Sequence, residues 1–146
     1  MSGTPQGKQG VPPMPQSRQA PNICSVTVPA APPVVLLVED NPSMRALIRG
    51  LVEGAGSAVY ECADGESAVD LYDRVRPDLV LMDVSMGGMD GLAATRAIRR
   101  SDPNARVIMV TEHGEEQYQR AAAAAGASGY LLKSHLMDLP GMLTKP

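Results

Sequence analysis

From residue 34 onward the hydrophobic positions fall into two alternating patterns. The first is a short, continuous apolar run. Val34–Glu39 reads VVLLVE, Leu79–Met82 reads LVLM before Asp83, and Arg106–Val110 reads RVIMV before Thr111. Runs without polar alternation suit strands buried on both faces of a parallel sheet. Val59–Cys62 and Gly129–Leu132 supply a second and a fifth strand, the last ending at Lys133. The other pattern is helical. Met44, Leu47, Ile48, Leu51 and Val52 share one face at spacings of three and four, after an Asn41-Pro42 start and before Gly54 and Gly56. Further helices are expected from Asp64-Gly65 to about Val75, from Gly91 to about Arg100, and from Glu115 to Ala125 with Gly126 as the stop.

Strands alternating with helices over mostly short connections predict an α/β protein with a parallel sheet covered on both faces. An open doubly wound five-stranded sheet of flavodoxin type, order 2-1-3-4-5, fits the length, whereas a closed barrel needs eight units and about 250 residues. The last helix is expected to be shortened. Only 13 residues follow Lys133, with Pro140 among them. A helix beginning at Pro140 barely starts, and one beginning near His135 is interrupted.

Composition sets the limits of this picture. The chain has 146 residues, enough for one domain, and its aromatic content is four Tyr with no Phe or Trp, so the core is aliphatic. Residues 1–33 hold eight of the 13 prolines and are expected to be a disordered tail, with residues 34–146 as the domain. The tail is either a flexible docking arm or sequence ahead of a misplaced start, with no specific role, and the second reading is favoured. The net charge of −3 is uneven: the tail carries Lys8 and Arg18 and no acid, leaving 11 bases against 16 acids, or −5, in the rest. A domain of that sign without a basic cluster is a poor direct binder of nucleic acid. No apolar run approaches the roughly 18 residues of a membrane span, and no secretory signal opens the chain, so a cytoplasmic location away from membranes is expected. Cys24 and Cys62 stand apart, which argues against a disulfide or zinc site.

The chemistry gathers where strands end. In an open α/β sheet, ligands bind at the carboxyl edge. In the expected order, Glu39-Asp40 and Asp83 end adjacent strands, and three crowded carboxylates invite a hard cation such as Mg²⁺. Thr111 adds a hydroxyl and Lys133 an ammonium. Metal, hydroxyl and ammonium around one carboxylate are what phosphoryl transfer to that carboxylate needs.

From about Val34 to Lys133 this layout resembles the receiver domain of two-component response regulators. The residues that carry the resemblance are the acidic pair in VEDNPSMR, the Asp in LVLMDVSMGGMDG, the Thr in VIMVTEH and the Lys in GASGYLLKS. The resemblance implies that Asp83 accepts a phosphoryl group from the phosphohistidine of a sensor histidine kinase or phosphotransfer protein. It further implies Mg²⁺ held by Asp40, Asp83, the Ser85 backbone carbonyl and, through water, Glu39. Lys133 would pair with the phosphoryl group, and Thr111 and Tyr130 would form a switch pair that alters a surface for an effector protein. Such a protein is a phosphorelay signalling switch rather than an enzyme, beyond self-catalysed phosphoryl transfer and hydrolysis. Three departures from the family pattern stand out. Gly87 replaces a usual Pro and should loosen its loop, Glu112 replaces a usual small residue beside the switch Thr, and the last helix is curtailed.

Plainer readings exist for several residues. Carboxylates near helix starts also favour the helix dipole. His113 and His135 read as surface residues, Cys62 as a small buried hydrophobe, and Arg96, Arg99 and Arg100 as a solvated helix face. An alternative function keeps the fold without the chemistry: a phosphorylation-independent protein-binding module, impaired as a switch by Glu112 and the short last helix. An aspartate-based phosphatase is disfavoured because Ser85 stands where such enzymes generally carry a second Asp. Flavin binding is disfavoured because Glu39-Asp40 would repel its phosphate.

Overall fold

The computed structural model describes residues 32–86 and 88–143. The expectations for residues 1–31 and for the loosening effect of Gly87 lie outside that range. The described chain runs β1 (Val34–Val38), α1 (Pro42–Gly54), β2 (Ala58–Cys62), α2 (Gly65–Val75), β3 (Leu79–Asp83), α3 (Gly91–Ser101), β4 (Val107–Thr111), α4 (Glu116–Ala125) and β5 (Gly129–Leu132). A 3₁₀ segment (Lys133–Asp138) and α5 (Leu139–Leu143) follow. The strands form one parallel sheet in the order β2-β1-β3-β4-β5, the expected open, doubly wound arrangement.

Alternate residues of the central strands serve opposite faces, as the pleat requires. Val35, Leu37, Leu79, Leu81, Ile108 and Val110 pack with Ile48 and Val52 of α1 and with Leu136 and Leu139. Leu36, Val38, Val80, Met82, Val107 and Met109 pack on the other side with Ala68 and Tyr72 of α2, Ala94 and Ile98 of α3, and Ala122 of α4. Burying one such aliphatic side chain contributes roughly 1.5–3 kcal/mol, so a core without Phe or Trp is sufficient here.

Helix starts follow the sequence signals. Asn41, Asp64 and Asp90 each accept a backbone N–H from three residues on, at 3.0, 2.7 and 2.7 Å. Gly126 closes α4 in the left-handed region at φ 100°. The ambiguity around Pro140 resolves into two pieces. His135 leaves helical geometry (φ −119°, ψ 32°), which ends one turn, and Pro140 then sits in the first turn of α5, where its missing N–H is not needed. Among the described residues the last helix spans Leu139–Leu143, and Leu136 and Leu139 are buried.

Two surface assignments and one buried one need correction. His113 is half-buried, its ring stacked on Tyr118 at 4.4 Å. Arg99 is half-buried because its guanidinium donates to the carbonyls of Pro103 and Ala105, while Arg96 and Arg100 are exposed. Cys62 is half-buried rather than buried, with its thiol pushed up to about 11 chiefly by desolvation.

Candidate functional site

Parallel register sets the site. Val38 lies opposite Met82, Asp83 opposite Val110, and Thr111 opposite Leu132. The next residue of β1 is therefore Glu39, beside Asp83, and the next residue of β5 is Lys133. Glu39 is 1% exposed, Asp83 4% and Thr111 1%, whereas Asp40 is exposed. An open pocket of about 200 Å³ at this edge is lined by Glu39, Asp40, Asp83, Thr111, Glu112 and Lys133, among others. That space suits a hydrated ion and a phosphoryl group. It is smaller than the roughly 300–1,000 Å³ of sites for larger organic ligands, which weighs against a flavin.

Carboxylate oxygens of Glu39, Asp40 and Asp83 lie within 4.8 Å of one another. At an effective dielectric near 20, each like-charged pair at that distance costs on the order of 3 kcal/mol. Lys133 relieves part of this, its Nζ standing 2.9 Å from Glu39 Oε1 and 3.5 Å from Asp83 Oδ2. Burial opposes the Lys133 charge, but Glu39 and Asp83 outweigh it and raise its pKa. Burial, followed by the Glu39 charge, pushes Asp83 up to about 6 against the opposing pull of Lys133 and the Ser85 N–H. Glu39 Oε2 accepts the Asn41 N–H at 3.1 Å. Its buried Oε1 receives no aligned hydrogen bond among the described residues and faces only the Lys133 ammonium. A buried oxygen left short of partners, next to two more carboxylates, fits a hard divalent cation.

The loop after Asp83 is held from both sides. Ser85 N–H donates to Asp83 Oδ1 at 3.3 Å, and Gly91 N–H donates to Val84 O at 3.0 Å. Gly91 approaches so closely that an added Cβ would land on the Asp83 carbonyl oxygen. No carboxylate occupies position 85, so the second acid of an aspartate-based phosphatase is missing.

Thr111 and Tyr130 are joined through His113. The His113 N–H donates to Thr111 Oγ1 at 3.1 Å, and the Tyr130 hydroxyl donates to the His113 carbonyl. Burial raises the Tyr130 pKa, while the neighbouring Thr111 hydroxyl works the other way. All of the sequence-derived site residues meet at this edge except Tyr130, which is reached through His113. Two contributors were not foreseen. His113 acts through its main chain, which leaves no sequence signal. Arg45 donates from Nη1 to the Glu39 carbonyl at 2.8 Å. Its signal was available: a cation in the first turn of α1, without an acid there, opposes the helix dipole and needs another partner.

Comparison with known proteins agrees with this fold. A family model described as a response regulator receiver domain matches residues 35–142. The chemotaxis protein CheY of Halobacterium salinarum is 41% identical over 99 residues, covering 68% of this chain and 82% of that protein. Among solved structures, Vibrio cholerae chemotaxis protein CheY4 superposes with a TM-score of 0.73 at 28% identity, over 77% of this chain and 97% of that one. A chain of the CheX–CheY–BeF3–Mg²⁺ complex from Borrelia burgdorferi gives 0.70 at 30% identity, over 78% and 91%.

Proposed function

The chain belongs to the response regulator receiver domain family, a family of phosphoacceptor signalling domains, and from that premise we propose that Asp83 is its phosphoacceptor. The donor is a phosphohistidine on a sensor histidine kinase or phosphotransfer protein, and the product is a changed surface that an effector protein reads. The observation that carries this reading is the convergence of Asp83, Glu39, Asp40, Thr111 and Lys133 at one pocket.

Burial pushes Asp83 up to about 6, and the Lys133 ammonium beside it favours the carboxylate form, which supplies the nucleophilic oxygen. Attack of that oxygen on phosphorus forms the P–O bond as the donor's P–N bond breaks, and the imidazole leaves with the bonding pair. Lys133, already 3.5 Å from Asp83, is placed to pair with the phosphoryl oxygens. Asp40, Asp83 and the Ser85 carbonyl, with Glu39 through water, would hold Mg²⁺, which would neutralise charge on the carboxylates and on the transferred group. The Thr111 hydroxyl then turns from Tyr130 toward a phosphoryl oxygen. That loosens the link through His113 and biases the position of the Tyr130 ring. The acidic domain charge fits a protein partner rather than nucleic acid.

Glu112 supports a second reading. Its exposed carboxylate lines the same pocket and adds negative charge where an anionic donor must enter. On that reading the protein binds its partner without phosphorylation.

Incubation with Mg²⁺ and acetyl phosphate, or with beryllofluoride, separates the two. The switch requires a Mg²⁺-dependent mass increase of one phosphoryl group, with amide NMR shifts at Thr111 and Tyr130, both absent in Asp83→Ala. A folded wild type that forms no adduct with either reagent supports the phosphorylation-independent module.

A further inference from the structure

Arg45 sits in the first turn of α1, where the helix dipole disfavours a cation, and no acid of that turn offsets it. Its guanidinium, instead of extending into solvent, bridges two strands. Nε donates to Glu61 Oε1 at 3.0 Å, and Nη1 donates to the Glu39 carbonyl at 2.8 Å. Glu61 lies on the edge strand β2, in register with Leu37, and is gripped a second time by Arg49, which also pairs with Glu53 at 3.0 Å. Glu39 itself continues the ladder, its N–H donating to the Cys62 carbonyl at 3.1 Å. The residue that follows β1 is thus held at its N–H by β2, at its carbonyl by Arg45 and at its carboxylate by Asn41 and Lys133.

We propose that Arg45, anchored by Glu61, is a positioning residue for divalent-cation binding. It fixes the peptide between Glu39 and Asp40, and so the placement of both carboxylates against Asp83. The planar guanidinium suits this task because one rigid fork reaches both partners, which a lysine ammonium cannot do at the same two points. The inference rests on the reading of Glu39, Asp40 and Asp83 as a Mg²⁺ site.

Electrostatics alone predicts the opposite sign. Removing a positive charge near an acidic site strengthens cation binding, so a loss of affinity reports lost positioning. Arg49 is the matched control: it shares Glu61 and carries the same charge, with no contact to Glu39 among the hydrogen bonds described. The experiment is a Mg²⁺ titration of the full ¹⁵N-labelled chain followed by amide shifts, which needs no phosphodonor. Arg45→Met is expected to weaken Mg²⁺ binding about tenfold or more, the usual scale for groups that orient metal ligands. Arg49→Met is expected to bind as wild type or slightly more tightly. Arg45→Lys, which keeps the charge, is expected to lose affinity severalfold, and it carries the test if Arg45→Met does not fold. Wild-type affinity in the Arg45 variants, or an equal loss in Arg49→Met, overturns the proposal and leaves the metal site standing. Absence of Mg²⁺-dependent shifts in the wild type overturns the metal site and the proposal together.

Discussion

The Lys133 ammonium lies closer to Glu39, at 2.9 Å, than to Asp83, at 3.5 Å. Before any ligand arrives it therefore acts as a resident cation on an oxygen with no other hydrogen-bond partner among the described residues. Its charge opposes any cation entering beside Glu39 and Asp83, and it is also the group proposed to pair with the phosphoryl oxygens.

Lys133→Met should for this reason separate two activities. Mg²⁺ affinity is expected to rise by roughly tenfold or more, since an ammonium a few Å away opposes a divalent ion by a few kcal/mol at an effective dielectric near 20. Phosphoryl uptake from acetyl phosphate is expected to fall sharply. Amide-shift titration and intact mass read the two effects independently.

One substitution at two glycines should have opposite signs. In Gly91→Ala the new methyl meets the Asp83 carbonyl oxygen, so the strand end or α3 must shift, a cost of about 1–3 kcal/mol. Mg²⁺ binding should weaken along with it. In Gly50→Ala, in the exposed middle of α1 with open space around the position, stability should rise by roughly 0.5–1 kcal/mol. Urea unfolding of the two variants gives both numbers.

Strand identity was legible because Leu79–Met82 and its counterparts are continuously apolar, and Glu39, Asp83, Thr111 and Lys133 were legible as candidates because each directly follows a strand run. That same continuity hid which residue faces which layer. Val80 and Leu81 look alike in sequence and face opposite sides of the sheet. Interactions made through the main chain were also hidden. The Glu39 carbonyl and the His113 peptide groups are common to any residue, so their partners Arg45 and Tyr130 could not be assigned to them. Arg99 read as solvated because its charge sits on a helix face, but a long stem lets a guanidinium reach carbonyls at the protein boundary. Pro140 left two readings open because local rules allow proline equally in a first turn and at a break.

The five residues of α5 form a short helix that is nonetheless part of the core. Leu139 is 0% exposed and packs in the cluster that includes Ile48, Val52, Leu131 and Leu136. Leu139→Ala is expected to lower stability by about 2–5 kcal/mol. Met137→Ala, two residues earlier at 78% exposure, should change it by less than about 0.5 kcal/mol. Chemical denaturation of the pair tests whether the curtailed helix is integral or merely appended.

Tyr72 and Asp102 supply a stability term with two pH limits. The buried Tyr72 ring of α2 donates its hydroxyl to Asp102 Oδ2 at 2.8 Å, just beyond the end of α3. The Tyr72 hydrogen bond, ahead of the Asn104 N–H, holds the Asp102 carboxyl below its ordinary value of 3.8. Its contribution is therefore present above that pH and lost as pH falls through the lower folded value. Burial, and then the same carboxylate, push the Tyr72 phenol up to about 12 from 10.0. That contribution is complete below pH 10 and disappears as pH rises toward 12, because the unfolded chain releases its phenolic proton first. Tyr72→Phe removes both. The stability difference between wild type and Tyr72→Phe should be flat from about pH 4 to 10 and should shrink on either side. Thermal unfolding across that range checks it, and a difference that stays constant below pH 3 would show that Asp102 is not the partner that matters.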